Sequence, residues 1–151
     1  MSTVSGRTSD EDYQRLLRFR TGLRRFERWS EQQATEAGLT GAQHQLLLAV
    51  RGHPDRRGPT VGEVSEYLLL RQHSTVELID RAVAAGLLQR TPDPTDRRVV
   101  RLRLTRAGHG VLRRLTQAHL TELNRLGPVY QGLWEGLEPT SHLAPDRRPK
   151  T

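Results

Sequence analysis

Cysteine is absent from the 151 residues. That removes disulfides, thiolate metal sites, cysteine nucleophiles and thiol redox sensing together. Lysine is almost absent as well: Lys150 is the only basic residue that is not arginine, a bias that fits a GC-rich genome. No apolar run approaches 18 residues, which excludes a transmembrane helix. The chain starts polar and acidic rather than basic and then apolar, so no secretory leader is expected and a cytoplasmic location follows as the simplest reading. Catalytic patterns are missing too. There is no Gly-rich phosphate loop, no HExxH and no paired-carboxylate motif. Ser74 and His73 are neighbours in sequence, but adjacent helical residues do not face each other as nucleophile and base. His44, His53, His109 and His119 are scattered without metal-ligand spacing. An enzyme, a bound cofactor and a metal site are therefore not expected.

What is present is positive charge: 24 Lys+Arg against 17 Asp+Glu, a formal +7. A polyanionic partner is the natural consequence, and the placement of the excess identifies where it acts. Residues 71–106 carry Arg71, Arg81, Arg90, Arg97, Arg98, Arg101, Arg103 and Arg106 against Glu77, Asp80, Asp93 and Asp96. A smaller excess lies in the tail, at Arg147, Arg148 and Lys150 against Asp146, whereas 10–37 is balanced.

Hydrophobic periodicity divides the chain. Residues 1–9 are small and polar, a disordered start. From Asp10 a helical stripe of Tyr13, Leu16, Phe19, Leu23, Phe26 and Trp29 runs to Gly38, giving a helix over 10–37. Thr40-Gly41-Ala42-Gln43 and Thr60-Val61-Gly62-Glu63 are capping boxes opening two more helices, separated by the breaker HPDRRGP at 53–59. A fourth helix is predicted from Arg71 to Ala85, with Val76, Ile79 and Val83 inward and Gly86 as its stop. The period then becomes two. Leu87–Arg90 reads as a short strand and 92–96 as a turn, while Val100, Leu102 and Leu104 alternate with Arg101 and Arg103. Thr105 caps a further helix with Leu112, Leu115, His119 and Leu126 on one stripe and Leu123 beside it. Pro128 is expected to interrupt it, leaving a short amphipathic piece (Tyr130, Leu133, Trp134, Leu137) before a disordered tail at 139–151.

The expected class is mainly α with a small β-hairpin wing. A winged helix-turn-helix core at 38–104 is flanked by helices at 10–37 and 105–138. Arg71, Gln72, His73, Ser74 and Thr75 cluster in the first turns of the fourth helix, where a recognition helix contacts base edges. Arginine suits guanine and glutamine suits adenine in the major groove. Glu77 and Arg81, one and two turns on, complete the candidate reading surface. At the hairpin turn, Arg97 and Arg98 form a basic tip for the minor groove or phosphates, with Asp96 placed to orient a guanidinium. Arg101 and Arg103 either solubilise a strand edge or touch the DNA backbone. Trp29 and His44 either line an effector cavity or belong to a core.

The segments Ser74-Thr75-Val76-Glu77-Leu78-Ile79-Asp80-Arg81 and Gly86-Leu87-Leu88-Gln89-Arg90 resemble the MarR family of winged-helix transcription regulators. So does the wing pattern D-x-R-x-x-x-L-x-L-T-x-x-G, met by Asp96, Arg98, Leu102, Leu104, Thr105 and Gly108, and upstream Leu39-Thr40 with Gln43. The likeness covers roughly 10–126. It implies a two-fold dimer built by the first and last helices, one recognition helix per protomer in a major groove, and a small phenolic or otherwise apolar effector that releases the DNA. Three features depart from the pattern. Leu69-Leu70-Arg71 stands where a Gly and then a Ser or Thr cap is expected, the region after Pro128 is short, and the lack of cysteine excludes the peroxide-sensing branch.

The resulting expectation is a homodimeric, sequence-specific double-stranded DNA-binding regulator, a repressor relieved by a small effector, acting on a pseudo-palindromic operator. The alternatives are a winged-helix protein-interaction module with an unused DNA face, and a regulator that needs no effector.

Overall fold

The computed structural model describes residues 8–134. The expected tail 139–151, residues 135–138 of the last expected helical piece, and most of the expected disordered start lie outside the described residues. The element order is α1 (Asp10–Glu36), α2 (Gly41–Gly52), α3 (Val61–Leu68), α4 (Gln72–Ala84), β1 (Leu88–Pro92), β2 (Val100–Leu104) and α5 (Arg106–Trp134). This is the helix, short helix, helix and hairpin order expected from the sequence, enclosed by two long helices that contact each other.

Local chemistry starts and stops these elements. Both expected capping boxes form: the Thr40 hydroxyl accepts from the Gln43 amide at 3.1 Å, and Thr60 accepts from Glu63 at 3.3 Å. A third box, Ser9 with Asp12, opens α1, whose first turn carries Asp10, Glu11 and Asp12 at the positive end of the helix dipole. Gly86, in the left-handed region at φ 72°, closes α4, and the Leu87 amide folds back to the Ala82 carbonyl at 3.0 Å. The Thr105 hydroxyl accepts from the Gly108 amide and donates to the Gly86 carbonyl, so one side chain joins the start of α5 to the end of α4.

The core lies between the three short helices, the inner face of the hairpin and the middle of the long helices. Leu46, Leu47, Val64, Ile79, Leu88 and Leu102 are essentially inaccessible, with Ala34, Leu112 and Leu115 against them. Each such aliphatic side chain contributes about 1.5–3 kcal/mol through burial.

Three expectations need correction. α4 buries Thr75, Leu78, Ile79 and Ala82, while Val76 and Val83 are only half-buried. The inward stripe is therefore rotated by one residue. It tolerates Thr75 because its hydroxyl accepts from Ser65 Oγ at 2.8 Å and donates to the Arg71 carbonyl at 3.1 Å. β1 extends past Arg90 to Pro92, paired in register with Val100. Finally, Pro128 does not end the last helix; α5 runs through it to Trp134. Proline removes one amide donor and crowds the carbonyl four residues earlier, but this flank of α5 is exposed, so water can satisfy that carbonyl. On the other face, Tyr130 closes against Gly22 of α1, where an added Cβ would stand 3.3 Å from the tyrosine hydroxyl oxygen.

Two histidines far apart in sequence meet where α1, α2 and α5 converge. The rings of His44 and His119 meet at a tilt of 54° with centroids 4.7 Å apart, beside Trp29 at 4.8 Å from His119. His119 Nδ1 lies 2.7 Å from the Leu115 carbonyl and Nε2 lies 2.7 Å from Ser30 Oγ. A carbonyl can only accept, so Nδ1 carries a proton, while Nε2 meets the serine hydroxyl. Burial, and secondarily the His119 ring, lower the pKa of His44 from its ordinary 6.5. As pH falls below 6.5, the unfolded chain takes up a proton that the folded chain refuses. This contribution to stability is full above pH 6.5 and is lost as pH falls toward the folded value. Tm should therefore drop between pH 7.5 and pH 5, and the drop should be smaller in His44→Gln. An equally steep pH dependence in the variant would contradict this assignment.

Gly58 is required by its surroundings. It sits at φ 89°, and an added Cβ would lie 2.0 Å from the Leu102 carbonyl oxygen, beside the bond from the Leu102 amide to the Pro59 carbonyl at 2.9 Å. Gly58→Ala should cost about 2 kcal/mol or more, read as a lowered thermal midpoint; an unchanged midpoint would refute so close an approach.

Candidate nucleic-acid interface

α4 presents a polar row to solvent. Arg71, Gln72, His73, Glu77 and Arg81 are all exposed, and His73, Glu77 and Arg81 follow one another at single-turn spacing. Ser74 is half-buried at the edge of this row. Thr75, expected among the reading residues, is fully buried and bonded inward, so it leaves the set. The sequence could not distinguish these roles because both patterns place a small polar residue in the first turn of the helix.

The start of α4 is unusual. Arg71 is the N-cap and supplies no side-chain capping bond, as a guanidinium cannot accept one. The first amides of α4 therefore lack a side-chain acceptor from the cap, which leaves positive dipole density at this end. The preceding turn holds Leu69 in the left-handed region at φ 54°, 90% exposed. An L-residue pays a steric cost there that glycine avoids.

The wing is built around one carboxylate. Asp93 is only 2% exposed. Its Oδ1 accepts from the Thr95 amide, the Thr95 hydroxyl and the Asp96 amide at 2.8, 2.6 and 3.1 Å. Its Oδ2 accepts from Arg101 Nε at 2.8 Å and from Arg57 at 3.3 Å. These bonds hold Asp93 well below the usual carboxylate range, led by the Thr95 hydroxyl and amide and then by Arg101. Arg101 also donates to the Gly58 carbonyl at 3.2 Å and lies 3.8 Å from Glu63. Its side chain is 13% exposed. Arg101 is thus neither a solubilising edge residue nor a free cation, as the alternating pattern suggested; it fastens the hairpin to the loop before α3. Arg103 remains exposed.

At the tip, Asp96 receives Arg98 through two bonds of 3.1 Å, Nε to Oδ1 and a terminal nitrogen to Oδ2. This pairing lowers the Asp96 pKa, through the Arg98 side chain and then its amide. The Arg98 side chain remains 91% exposed, and Arg97 is exposed beside it. The sequence therefore placed Asp96 correctly as the orienting acid of the tip but missed Asp93, the larger hub. Its signal was available in the D-x-T run, since aspartate two residues before threonine favours a side-chain-stabilised turn.

The α3–α4 pair followed by the β1–β2 hairpin defines a winged helix-turn-helix. The model of the MarR family matches residues 37–99. Over 83 residues the chain is 35% identical to the HTH-type transcriptional repressor NicR of Pseudomonas putida, covering 54% of this chain and 50% of that protein. Over 53 residues it is 42% identical to the uncharacterized HTH-type transcriptional regulator YsmB of Bacillus subtilis, covering 35% and 36% respectively. The chain thus spans between about a third and a half of the length of these curated relatives. Its fold matches that of a mutant of Escherichia coli MarR complexed with operator DNA, with a TM-score of 0.58 and 22% identity over 80% of each chain. The winged-helix core of this chain, residues 37–99, is thus similar to that of the MarR family.

Neutralising the hub should loosen the wing without unfolding the body. In Asp93→Asn, amide exchange at Thr95 and Asp96 should quicken by about tenfold or more, because charge-assisted bonds give way to weaker neutral ones, while amides of α2 and α4 keep their protection. Unchanged exchange at the tip would show that the turn holds without the carboxylate.

Proposed function

We propose that the chain is a homodimeric, sequence-specific double-stranded DNA-binding transcription regulator, acting as a repressor that a small effector releases. The observation that carries this reading is the exposure of two basic features on one winged-helix body. The row Arg71, Gln72, His73, Glu77 and Arg81 on α4 reads bases, with Ser74 at its edge. The oriented Arg98 and its neighbour Arg97 reach the adjacent minor groove or its phosphates. Phosphate contacts from the wing and the α4 terminus supply affinity and orientation, and the helix row supplies discrimination.

The dimer reading rests on the long helices. In the single chain, Tyr13, Leu16 and Leu17 of α1 and Leu120, Leu123 and Val129 of α5 are largely exposed. Monomeric proteins seldom leave so many large apolar side chains in water on neighbouring elements, and a second copy related by two-fold symmetry would cover them. The effector reading rests on a groove of about 600 Å³ between α1 and α5, walled by Phe26, Trp29, Leu126 and Tyr130 with Arg18 and Arg25 at its margin. An aromatic or phenolic molecule suits such walls. Binding there would shift the long helices that set the spacing of the two recognition helices.

The test removes the wing charge. Arg97→Ala/Arg98→Ala should weaken duplex binding by about 1–3 kcal/mol and reduce the slope of log affinity against log salt by about 1 for each phosphate no longer neutralised. Unchanged affinity and slope would favour a protein-interaction module whose DNA face is idle.

A further inference from the structure

We propose that the cleft on the side of the hairpin opposite α4 binds phosphate groups. The hairpin has two distinct faces. Arg90 pairs with Asp80 of α4 on one face, while Gln89 and its cross-strand partner Arg103 project from the other. Behind them lies a cleft of about 850 Å³, walled by the end of α2, the 53–58 loop, the hairpin and the first turns of α5. It has the volume of a small-molecule site, and its walls come from four separate elements.

Its charge is unbalanced. Arg51, Arg56 and Arg103 line it together with the His109 imidazole. Around the hairpin and loop the neighbouring arginines are taken by acids: Arg57 by Asp55, Arg90 by Asp80, Arg98 by Asp96 and Arg101 by Asp93. The three cleft arginines have no hydrogen bond or ion pair within the described residues. The one acid on the lining, Asp55, is already forked by Arg57 through bonds of 2.7 to 3.1 Å. Gly58 lets the loop approach β2 so closely that the Arg103 stem runs over it, Cγ 3.6 Å from where a Cβ would be. Arg103 and Arg56 thus border one concavity.

Three guanidiniums around one open concavity sum to a positive potential that a multivalent anion relieves. Their planar, forked donors match phosphate oxygens in pairs. Gln89 and Thr91 supply neutral hydrogen-bonding groups on the same wall. The phosphate could belong to a free phosphorylated molecule or to the backbone of a duplex running past the wing. The second source rests on the DNA-binding reading above; the first does not.

The full chain is titrated calorimetrically with inorganic pyrophosphate at constant ionic strength, alongside Arg56→Gln/Arg103→Gln and, as a control on the α1 surface, Arg24→Gln. Saturable binding that weakens about tenfold or more in the double variant, and not in the control, supports the cleft with a free phosphate as its source. In a second arm, duplex affinity is measured against salt. A slope reduced by about 2 in the double variant supports the cleft with the DNA backbone as its source. The proposal is overturned if wild type shows no saturable pyrophosphate binding and the variant keeps the wild-type duplex slope. It is equally overturned if Arg24→Gln weakens both as much as the double variant does. Should wild type bind no duplex, the DNA-binding reading fails and the pyrophosphate arm alone decides.

Discussion

The geometry of the wing depends on a single nearly inaccessible carboxylate. Asp93 gathers three donors of its own turn on one oxygen and two arginines on the other. A carboxylate this far from water is tolerated only when its lone pairs are filled, and here they are. The consequence is mechanical. The turn that carries Arg97 and Arg98 is tied through Arg101 to the Gly58 carbonyl and toward Glu63, the residue that also caps α3. A free two-stranded ribbon is only marginally ordered in water. Tied in this way, its tip keeps a defined position relative to the helices that precede α4.

The same logic separates two kinds of arginine. Arg57 and Arg101 hold the scaffold, pointing into acids, while Arg71, Arg81, Arg97 and Arg98 point outward from it. Net charge alone treats them as equals. The long helices contribute a different chemistry: an apolar strip at one end, and at the other a pair of tilted histidine rings seated beside Trp29 and against α2. That contact joins α1 and α5 to α2 of the winged core.

Much of this was readable in the residues. The element order, both threonine capping boxes, Gly86 as the stop of α4 and the Thr105 cap follow from local rules that act within four residues. What failed depended on distance. Thr75 reads as a surface hydroxyl until Ser65, on the preceding helix, bonds to it. Arg101 reads as half of a cationic strand face until the turn of 93–96 curls back over it. Pro128 reads as a break, because its own chemistry opposes a helix, yet α5 runs through it, with Tyr130 set against Gly22 of α1. His44 and His119 lie 75 positions apart, and no local pattern announces their contact. The Asp96–Arg98 pairing was legible because the wing tip is a local structure formed by a few consecutive residues.

The central claim is that α4 and the wing of two copies read one duplex. Selection of bound sequences from genomic fragments by the full chain addresses it most directly. The account predicts enrichment of a pseudo-palindromic sequence whose half-sites lie about one helical turn apart. A bound pool indistinguishable from the input, or an enriched motif without two-fold symmetry, would contradict it.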